Sequence, residues 1–415
     1  MNRSCKLIMQ PYGAAFIDKT GKVCFFNETA AEICKCLAEK MKYEDVIFRI
    51  ANAYDITMSE AQTDIDEFLS SPITNNCLIA TQGEDVQISG SEDYVSIIEA
   101  DICLTNRCNL QCTYCYANAG SPNGDELPPD KWLETARSLI RLGMQKVTIA
   151  GGEPLLSQSL IPILDVFSDN DISVQIFSNG ALIDKKILKE LCNYNINFIQ
   201  ISMDAITPEK HNRHRGQSHN EAVKAIHLIA ESDIPVVIGA NIFPDTLDEI
   251  IPLSRYAASL GALLRCNPIE ARGRGSSFST ELTVTNESFT NKLHDSIEDA
   301  SALYPQVFAE QEITRNKDAM ENSCPFSKGC IAVTSNGEIR ACSQSDLFFE
   351  TIAPWSIDHK KVWDYALTIE EHAAFSAIAN INPKLCPTRE LCGNCLDYPS
   401  CSGCLLAGYT CHERR

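Results

Sequence analysis

Along residues 1–72, apolar positions come first in short runs and then at helical spacing. This pattern predicts a small α/β unit of strands followed by helices. Lys6-Leu7-Ile8-Met9 and Ala14-Ala15-Phe16-Ile17 read as strands, and Asp18-Lys19-Thr20-Gly21 reads as a turn into a third, Lys22-Val23-Cys24-Phe25-Phe26. Thr29 and Glu32 have capping-box spacing, with Ala30, Ile33, Cys34 and Leu37 on one helix face behind them. Tyr43, Val46, Ile47 and Ile50 predict a second helix. Ala61, Ile65, Phe68 and Leu69, opened by Ser59, predict a third. Residues 73–98 are acidic with weak strand signals and read as a connector.

From Ile98 the pattern changes to alternating strands and helices. Strand-like runs are Ser96–Leu104, Lys146–Ala150, Ser173–Phe177, Phe198–Met203, Pro235–Ile242 and Ala262–Cys266. Helical segments between them include Pro129–Leu142, Leu160–Ser168 and Glu221–Ser232. Such alternation predicts a parallel sheet with right-handed crossovers. Six strands fall short of the eight that close a barrel, so the expected class is α/β with a partial (β/α)6 TIM-type barrel. From about Glu312 the chain is short segments, turns and cysteines, with no tandem repeat.

Composition narrows the function. A length of 415 residues suggests two or three domains. With 44% apolar and 22% charged residues the chain is ordinarily globular, and no apolar run reaches the length of a membrane span. A net charge of -20 argues against general binding of phosphate backbones, so neither nucleic acid nor membrane is an expected partner. Met1–Tyr12 has no long apolar core behind its basic residues, so no secretory signal is read and a cytoplasmic location is expected. There the 20 cysteines should stay reduced, and so many thiols point to metal rather than disulfides. Nine lie in residues 324–415.

Cys108-Asn109-Leu110-Gln111-Cys112-Thr113-Tyr114-Cys115 is a C-x3-C-x2-C loop after the first strand of the expected barrel, the end where such folds place chemistry. Three thiolates can hold three irons of a [4Fe–4S] cluster, leaving the fourth open to a ligand. The alternative is a zinc site, which ordinarily takes four ligands. Gly151-Gly152-Glu153-Pro154 follows the strand Val147–Ala150. Its glycines let backbone approach a ligand, and its glutamate can accept from an amine; the same four residues also make a common turn.

Together these motifs resemble the radical S-adenosylmethionine (SAM) superfamily over about residues 98–310. The resemblance implies that Cys108, Cys112 and Cys115 hold a [4Fe–4S] cluster whose open iron chelates SAM. It implies Tyr114 near the adenine and Gly151, Gly152 and Glu153 around the methionyl amine. It further implies Ser202, in Ile201-Ser202-Met203-Asp204, near the ribose, and Arg215, in Arg215-Gly216, at the SAM carboxylate. Asp204-Ala205 departs from the usual Asp-Gly. Ordinary strand-end polarity and a solvated charge are the alternatives for Ser202 and Arg215. In such enzymes the cofactor performs the C–S cleavage, and the protein positions the substrate.

Cys324, Cys330 and Cys342 surround Asn336-Gly337, a hairpin signal, and Cys386, Cys392, Cys395, Cys401, Cys404 and Cys411 follow. This resembles the SPASM domain, a cysteine-rich iron–sulfur unit with two auxiliary [4Fe–4S] clusters. The resemblance implies Cys324, Cys330, Cys342 and Cys404 as ligands of one, and Cys392, Cys395, Cys401 and Cys411 of the other. Cys401-Ser402-Gly403-Cys404 shortens the usual C-x-G-G-C, and Cys386 is an extra cysteine able to replace a ligand. Two zinc ribbons are the alternative. Cys5, Cys24, Cys34, Cys36, Cys77, Cys103, Cys192 and Cys266 read as core or loop thiols, buried by default.

The first unit resembles the small (PqqD-like) peptide-recognition domain of the pyrroloquinoline-quinone pathway, a winged-helix-like α+β fold. Phe26-Asn27-Glu28-Thr29-Ala30-Ala31-Glu32-Ile33 and Asp64-Ile65-Asp66-Glu67-Phe68-Leu69 carry the match. Such domains capture the leader of a precursor peptide as an added strand. Here Lys22–Phe26 would receive it, with Ser59–Leu69 as the other wall. A generic winged helix is the alternative.

The expected organisation is a recognition domain over residues 1–75, a linker over 76–97, the radical SAM barrel over 98–310 and the SPASM domain over 311–415. The expected function is a leader-dependent maturase that takes a hydrogen atom from a ribosomally made precursor peptide and cross-links it. A Cys thioether is the first expectation and a C–C link the second. It would use SAM, three [4Fe–4S] clusters and a reductase or flavodoxin-type electron donor. A sulfatase-type maturase forming formylglycine, a radical SAM enzyme on a small molecule or tetrapyrrole, and a zinc-ribbon adaptor are the alternatives. No residue identifies itself as a catalytic base. Asp204, His211 and His214 fall near the expected barrel mouth, either facing it or on the surface.

Overall fold

The computed structural model describes residues 5–10, 13–18, 23–70, 86–91, 96–120, 125–269, 272–278, 287–308, 329–340 and 353–357. Cys77, Cys324, Cys342, Cys386, Cys392, Cys395, Cys401, Cys404 and Cys411 lie outside the described residues, as do the turn residues 19–21 and Lys22.

The first unit is a meander, β1 (Lys6–Gln10), β2 (Gly13–Ile17) and β3 (Val23–Phe26), followed by three helices. These are α1 (Glu28–Ala38), α2 (Tyr43–Tyr54) and α3 (Met58–Ser70). The three strands pair antiparallel, and β4 (Gln87–Gly90), from the expected connector, pairs parallel to β1. The sheet order is β3-β2-β1-β4, which leaves β3 on an edge.

Two helix starts differ from the sequence reading. The α1 cap is Asn27, whose Oδ1 accepts from the Ala30 amide at 2.9 Å, so Thr29 sits inside the helix. The capping box of α3 is Thr57–Glu60 rather than one opened by Ser59: the Thr57 amide donates to Glu60 Oε2 and the Glu60 amide to Thr57 Oγ1. Val46, Ile47 and Ile50 of α2 face the core as expected, while Tyr43 stays exposed.

The second sheet has eight strands in the order β10-β9-β8-β7-β6-β5-β11-β12. Its center is β5 (Glu99–Cys103), β6 (Lys146–Ala150), β7 (Ser173–Ser178), β8 (Ile196–Ser202), β9 (Val236–Ile242) and β10 (Leu263–Pro268). All six are parallel and lie in chain order, as the alternating pattern predicted. Connecting helices are α4 (Pro129–Arg141), α5 (Leu160–Asp169), α6 (Lys185–Leu191), α7 (Pro208–Arg215), α8 (His219–Ala230) and α9 (Ile250–Leu260), and α10 (Glu287–Leu303) follows β10. Beyond the six, β11 (Cys330–Val333) pairs parallel to β5 and turns through Asn336-Gly337 into antiparallel β12 (Ile339–Arg340).

Alternate strand positions separate the two faces of this sheet. Ala100, Ile102, Val147 and Ile149 join Trp132, Leu139, Leu164 and Phe167 in the helix-covered core. The opposite face is more polar: Thr148 meets Gln175, Phe177 stacks on Phe198, and the Arg265 guanidinium lies 4.7 Å from the Phe198 ring center. The first sheet is fastened to the second at the N-terminal ends of its strands. Gln10 donates to the Ser96 carbonyl at 3.1 Å and accepts from the Ser96 amide at 2.9 Å, both buried. Lys6 reaches Gln145, and Ile8, Ala15 and Ile17 pack on Ile98.

Candidate active site

The cysteine loop leaves the C-terminal end of β5. Its entry runs Thr105–Arg107, and the Gly-Gly-Glu segment after β6 lies directly against it. The Gly152 amide donates to the Thr105 carbonyl at 2.7 Å, and the Glu153 amide to the Arg107 carbonyl at 2.8 Å. A Cβ on Gly152 would stand 2.2 Å from the Arg107 carbonyl oxygen, and one on Gly151 2.4 Å from that of Thr105. The glycines are thus required by this chain's own backbone. Glu126 holds the same entry, accepting from Thr105 Oγ1 and the Asn106 amide at 2.7 Å each.

Glu153 is fully buried. Its carboxylate accepts from Ser178 Oγ at 2.9 Å, the Asn179 amide at 2.8 Å and the Leu155 amide at 3.2 Å. Burial raises its pKa, and these three donors oppose the rise. Asn179 then reaches the cysteine loop, its Nδ2 lying 2.7 Å from Asn109 Oδ1 and 3.9 Å from Cys108 Sγ. The sequence reading did not single out Asn179; Ser178-Asn179-Gly180 at a strand end was the available signal.

Cys108, Cys112 and Cys115 are half-buried. Backbone amides point at two of the sulfurs, Leu110 N–H at Cys108 and Ala119 N–H at Cys115, each at 3.4 Å. Burial pushes the Cys108 and Cys112 thiols up, opposed by the Leu110 amide in the first case and by Arg215 in the second. Among the described residues, no three His, Cys, Asp or Glu side chains converge closely enough for one ion. A cluster takes one thiolate per corner and does not require that convergence.

Tyr114, Asp204 and Arg215 form a buried network that the sequence did not reveal. Asp204 is fully buried rather than on the surface. Its Oδ2 accepts from the Tyr114 hydroxyl at 2.6 Å and from Arg215 Nε at 2.9 Å, and its Oδ1 from the Asn241 amide at 3.0 Å. The Arg215 guanidinium lies 5.3 Å from the Tyr114 ring center, and Phe243 meets that ring edge-on. Burial works against the Arg215 charge, but Asp204, Tyr114 and Cys112 together outweigh it and the pKa rises. Arg215 is thus neither solvated nor free of protein partners.

His211 and His214 are buried too. His211 Nδ1 accepts from the Asp204 amide at 3.3 Å, and its Nε2 lies 3.0 Å from Ser218 Oγ. His214 stacks on Phe243, and its carbonyl accepts from the Thr113 amide at 2.9 Å, tying α7 to the cysteine loop. Ser202 closes β8 and is half-buried.

Cys330 starts β11 opposite Glu99, at the far end of the strands from the cysteine loop. Cys5, Cys24, Cys34, Cys36 and Cys266 are buried, as expected. Cys103 is half-buried, and its thiol is pushed up to about 11 by burial. Cys192 is exposed, because it caps the end of α6 instead of joining its inner face. Among the described residues, no helix is long and apolar enough to cross a membrane.

Residues 102–257 match the radical SAM superfamily. The sporulation killing factor maturation protein SkfB of Bacillus subtilis (strain 168) is 27% identical over 62% of this chain, and the match spans 63% of SkfB. The antilisterial bacteriocin subtilosin biosynthesis protein AlbA of the same organism is 24% identical over 89% of this chain and 83% of AlbA. Among solved structures, Streptococcus suis SuiB bound to S-adenosylmethionine has the same fold, with a TM-score of 0.59, 16% identity and coverage of 87% of this chain and 88% of SuiB. A second SuiB structure, bound to its precursor peptide SuiA, gives a TM-score of 0.58 at 17% identity, covering 87% of each chain. Such a domain works with SAM and a [4Fe–4S] cluster, and relatives that carry it are named as maturases and cyclases. Over residues 102–257 the chain matches the radical SAM superfamily, and with relatives named as maturases and cyclases it is an enzyme.

Proposed function

We propose that this chain is a maturase that binds a ribosomally made precursor peptide and cross-links it by radical SAM chemistry. One observation carries the reading. The three-cysteine loop stands at the C-terminal end of the first of six parallel strands, joined to Gly151-Gly152-Glu153 by direct backbone hydrogen bonds. Cys108, Cys112 and Cys115 fit a [4Fe–4S] cluster with an open iron. Their sulfurs share one loop, two face backbone N–H groups, and they do not converge as ligands of one ion would. SAM bound there would supply the radical chemistry for taking a hydrogen atom from the peptide.

The chain's own residues orient that chemistry. Asn179 and Glu153 fix the cysteine loop against the strand ends. Asp204 holds the Tyr114 ring and the Arg215 charge together beside Cys112. The polar sheet face of Thr148, Gln175, Gln200 and Arg265 would receive the peptide. Cys324, Cys330, Cys342 and Cys404 would serve one auxiliary cluster and Cys392, Cys395, Cys401 and Cys411 the other, with Cys386 able to replace a ligand.

Residues 1–75 would capture the leader. Edge strand β3 accepts it as a further strand, and Phe68 of α3 meets Phe26 of β3 at 5.6 Å as the groove floor. SuiB, which shares the fold, is seen bound to a precursor peptide, SkfB is named for maturation of a sporulation killing factor, and AlbA for biosynthesis of the bacteriocin subtilosin. A thioether from a cysteine of the peptide is the favored product, with a C–C link second. A reductase or flavodoxin would supply the electron.

The test is anaerobic reconstitution with iron and sulfide, then SAM, dithionite and the precursor peptide, with 5'-deoxyadenosine and peptide mass as readouts. Product from the full chain, lost in Cys112→Ala and on removal of residues 1–75, is expected. A peptide modified equally without residues 1–75 would sink leader capture. Zinc in place of iron and sulfide would sink the whole reading.

A further inference from the structure

The segment after β10 was silent in the sequence reading, yet it is built into the cysteine loop. Gly273 has φ +53°, and a Cβ there would stand 2.4 Å from both the Cys115 and Tyr116 carbonyl oxygens. The chain therefore crosses directly over the loop's backbone. Arg274 closes the contact. Its amide donates to the Cys115 carbonyl at 2.9 Å. Its Nε donates to the Cys112 carbonyl at 2.7 Å, and its Nη1 to the Ala119 carbonyl at 2.8 Å and to Asn118 Oδ1 at 3.3 Å. Three carbonyls of one loop, two belonging to cysteines, converge on one residue. Its Nη2 is buried and, among the described residues, has no hydrogen-bond partner.

A buried guanidinium N–H left without an acceptor is unfavorable, the more so because the group is charged. A planar fork whose other donors are already fixed cannot swing away to satisfy it. We propose that Arg274 is a positioning residue for the iron–sulfur cluster, holding Cys112 and Cys115 in ligating geometry and setting a positive charge beside the anionic cluster. The proposal rests on the cluster reading of Cys108, Cys112 and Cys115. The charge favors the reduced cluster, which carries one more negative charge than the oxidised one.

The experiment uses the full chain reconstituted anaerobically as wild type, Arg274→Gln and Arg274→Lys. Two quantities are read: iron release to a chelator, and the midpoint potential of the cluster whose electron paramagnetic resonance signal responds to SAM. In Arg274→Gln, iron leaves at least about tenfold faster, as for lost outer-shell partners generally, and the potential moves to more negative values. Arg274→Lys keeps the charge, so its potential stays near wild type while its iron loss is intermediate. Should Arg274→Gln hold no cluster, the potential of Arg274→Lys decides, and a negative shift there overturns the proposal. Equal iron loss in both variants at unchanged potential also overturns it, because the side chain would then be a structural strut alone. A wild-type chain that takes up no iron fails the cluster reading instead, which separates the two.

Discussion

The Tyr114 hydroxyl donates to Asp204 Oδ2 at 2.6 Å, joining the cysteine loop to the end of β8 across 90 residues of sequence. The same oxygen accepts from Arg215, so one carboxylate neutralises a buried cation and fixes an aromatic ring. Asp204→Asn leaves Arg215 buried without its counter-charge. The expected cost is about 3–5 kcal/mol in denaturant unfolding of the apo chain. Tyr114→Phe removes one donor while Arg215 still serves the oxygen, so its cost is expected at about 1–3 kcal/mol. Equal losses in the two variants would count against this division.

Gly152→Ala is expected to displace the cysteine loop, since the new Cβ would meet the Arg107 carbonyl at 2.2 Å and backbone must yield. Overpacking of this kind costs about 1–3 kcal/mol. The informative readout is iron bound per chain after reconstitution, expected to fall well below wild type. Gly261→Ala controls for backbone strain alone: its φ of +65° disfavors alanine, but the added Cβ has nothing within 4 Å, so iron content is expected to stay at the wild-type level.

His211 gives the fold a defined acid sensitivity. Its Nδ1 is an acceptor for the Asp204 amide, so the ring is neutral, and burial pushes its pKa down to about 4 against Asp204, which raises it, with Arg215 and His219 lowering it further. The unfolded chain takes up this proton first as pH falls. Stability is therefore whole above the ordinary value of 6.5 and declines by about 3 kcal/mol between there and about 4. Urea midpoints at pH 7.5 and 4.5 should differ less in His211→Gln, whose amide can still accept and donate. An identical pH slope would assign the sensitivity elsewhere.

Gln10→Ala is expected to loosen the first unit from the second. It leaves the buried Ser96 amide and carbonyl without the partners they have here, at about 1–3 kcal/mol. Hydrogen exchange should quicken in β1 and β2 while β6 to β9 keep wild-type protection. Uniform protection across both sheets would show that apolar packing of Ile8 and Ile17 on Ile98 suffices.

The parts of this molecule set by local chemistry were legible in the chain. Periodicity placed the six parallel strands, and close spacing exposed the Cys108–Cys115 loop and Gly151-Gly152-Glu153. What escaped was set by distant partners. Arg274 acts 162 residues from Cys112, Asn179 lies 71 from Cys108, and Gln10 lies 86 from Ser96. Nothing in the local pattern marks such a residue, although Arg272-Gly273-Arg274-Gly275 after a strand was an unusual run. Asn336-Gly337 marked the β11–β12 hairpin and weak strand signals fell where β4 lies, but the parallel pairing of β11 with β5 and of β4 with β1 escaped, since each four-residue strand gains its place from a neighbor far away in sequence. Asn27 displaced the expected Thr29 cap because it stands two residues earlier with a better side-chain acceptor.

The clasp of Gln10 on Ser96 fixes more than the joint between two sheets. It sits at the starting ends of the parallel strands, whereas the cysteine loop springs from their finishing ends. A leader held on β3, as proposed, would thus be anchored on one side of the molecule while its reactive residue must arrive at the other. Five residues of β5 alone span about 17 Å at the rise of an extended chain. The sheet becomes a ruler: a peptide too short between anchor and target cannot reach, whatever its side chains. Choice of substrate would then reside in chain length as much as in recognition.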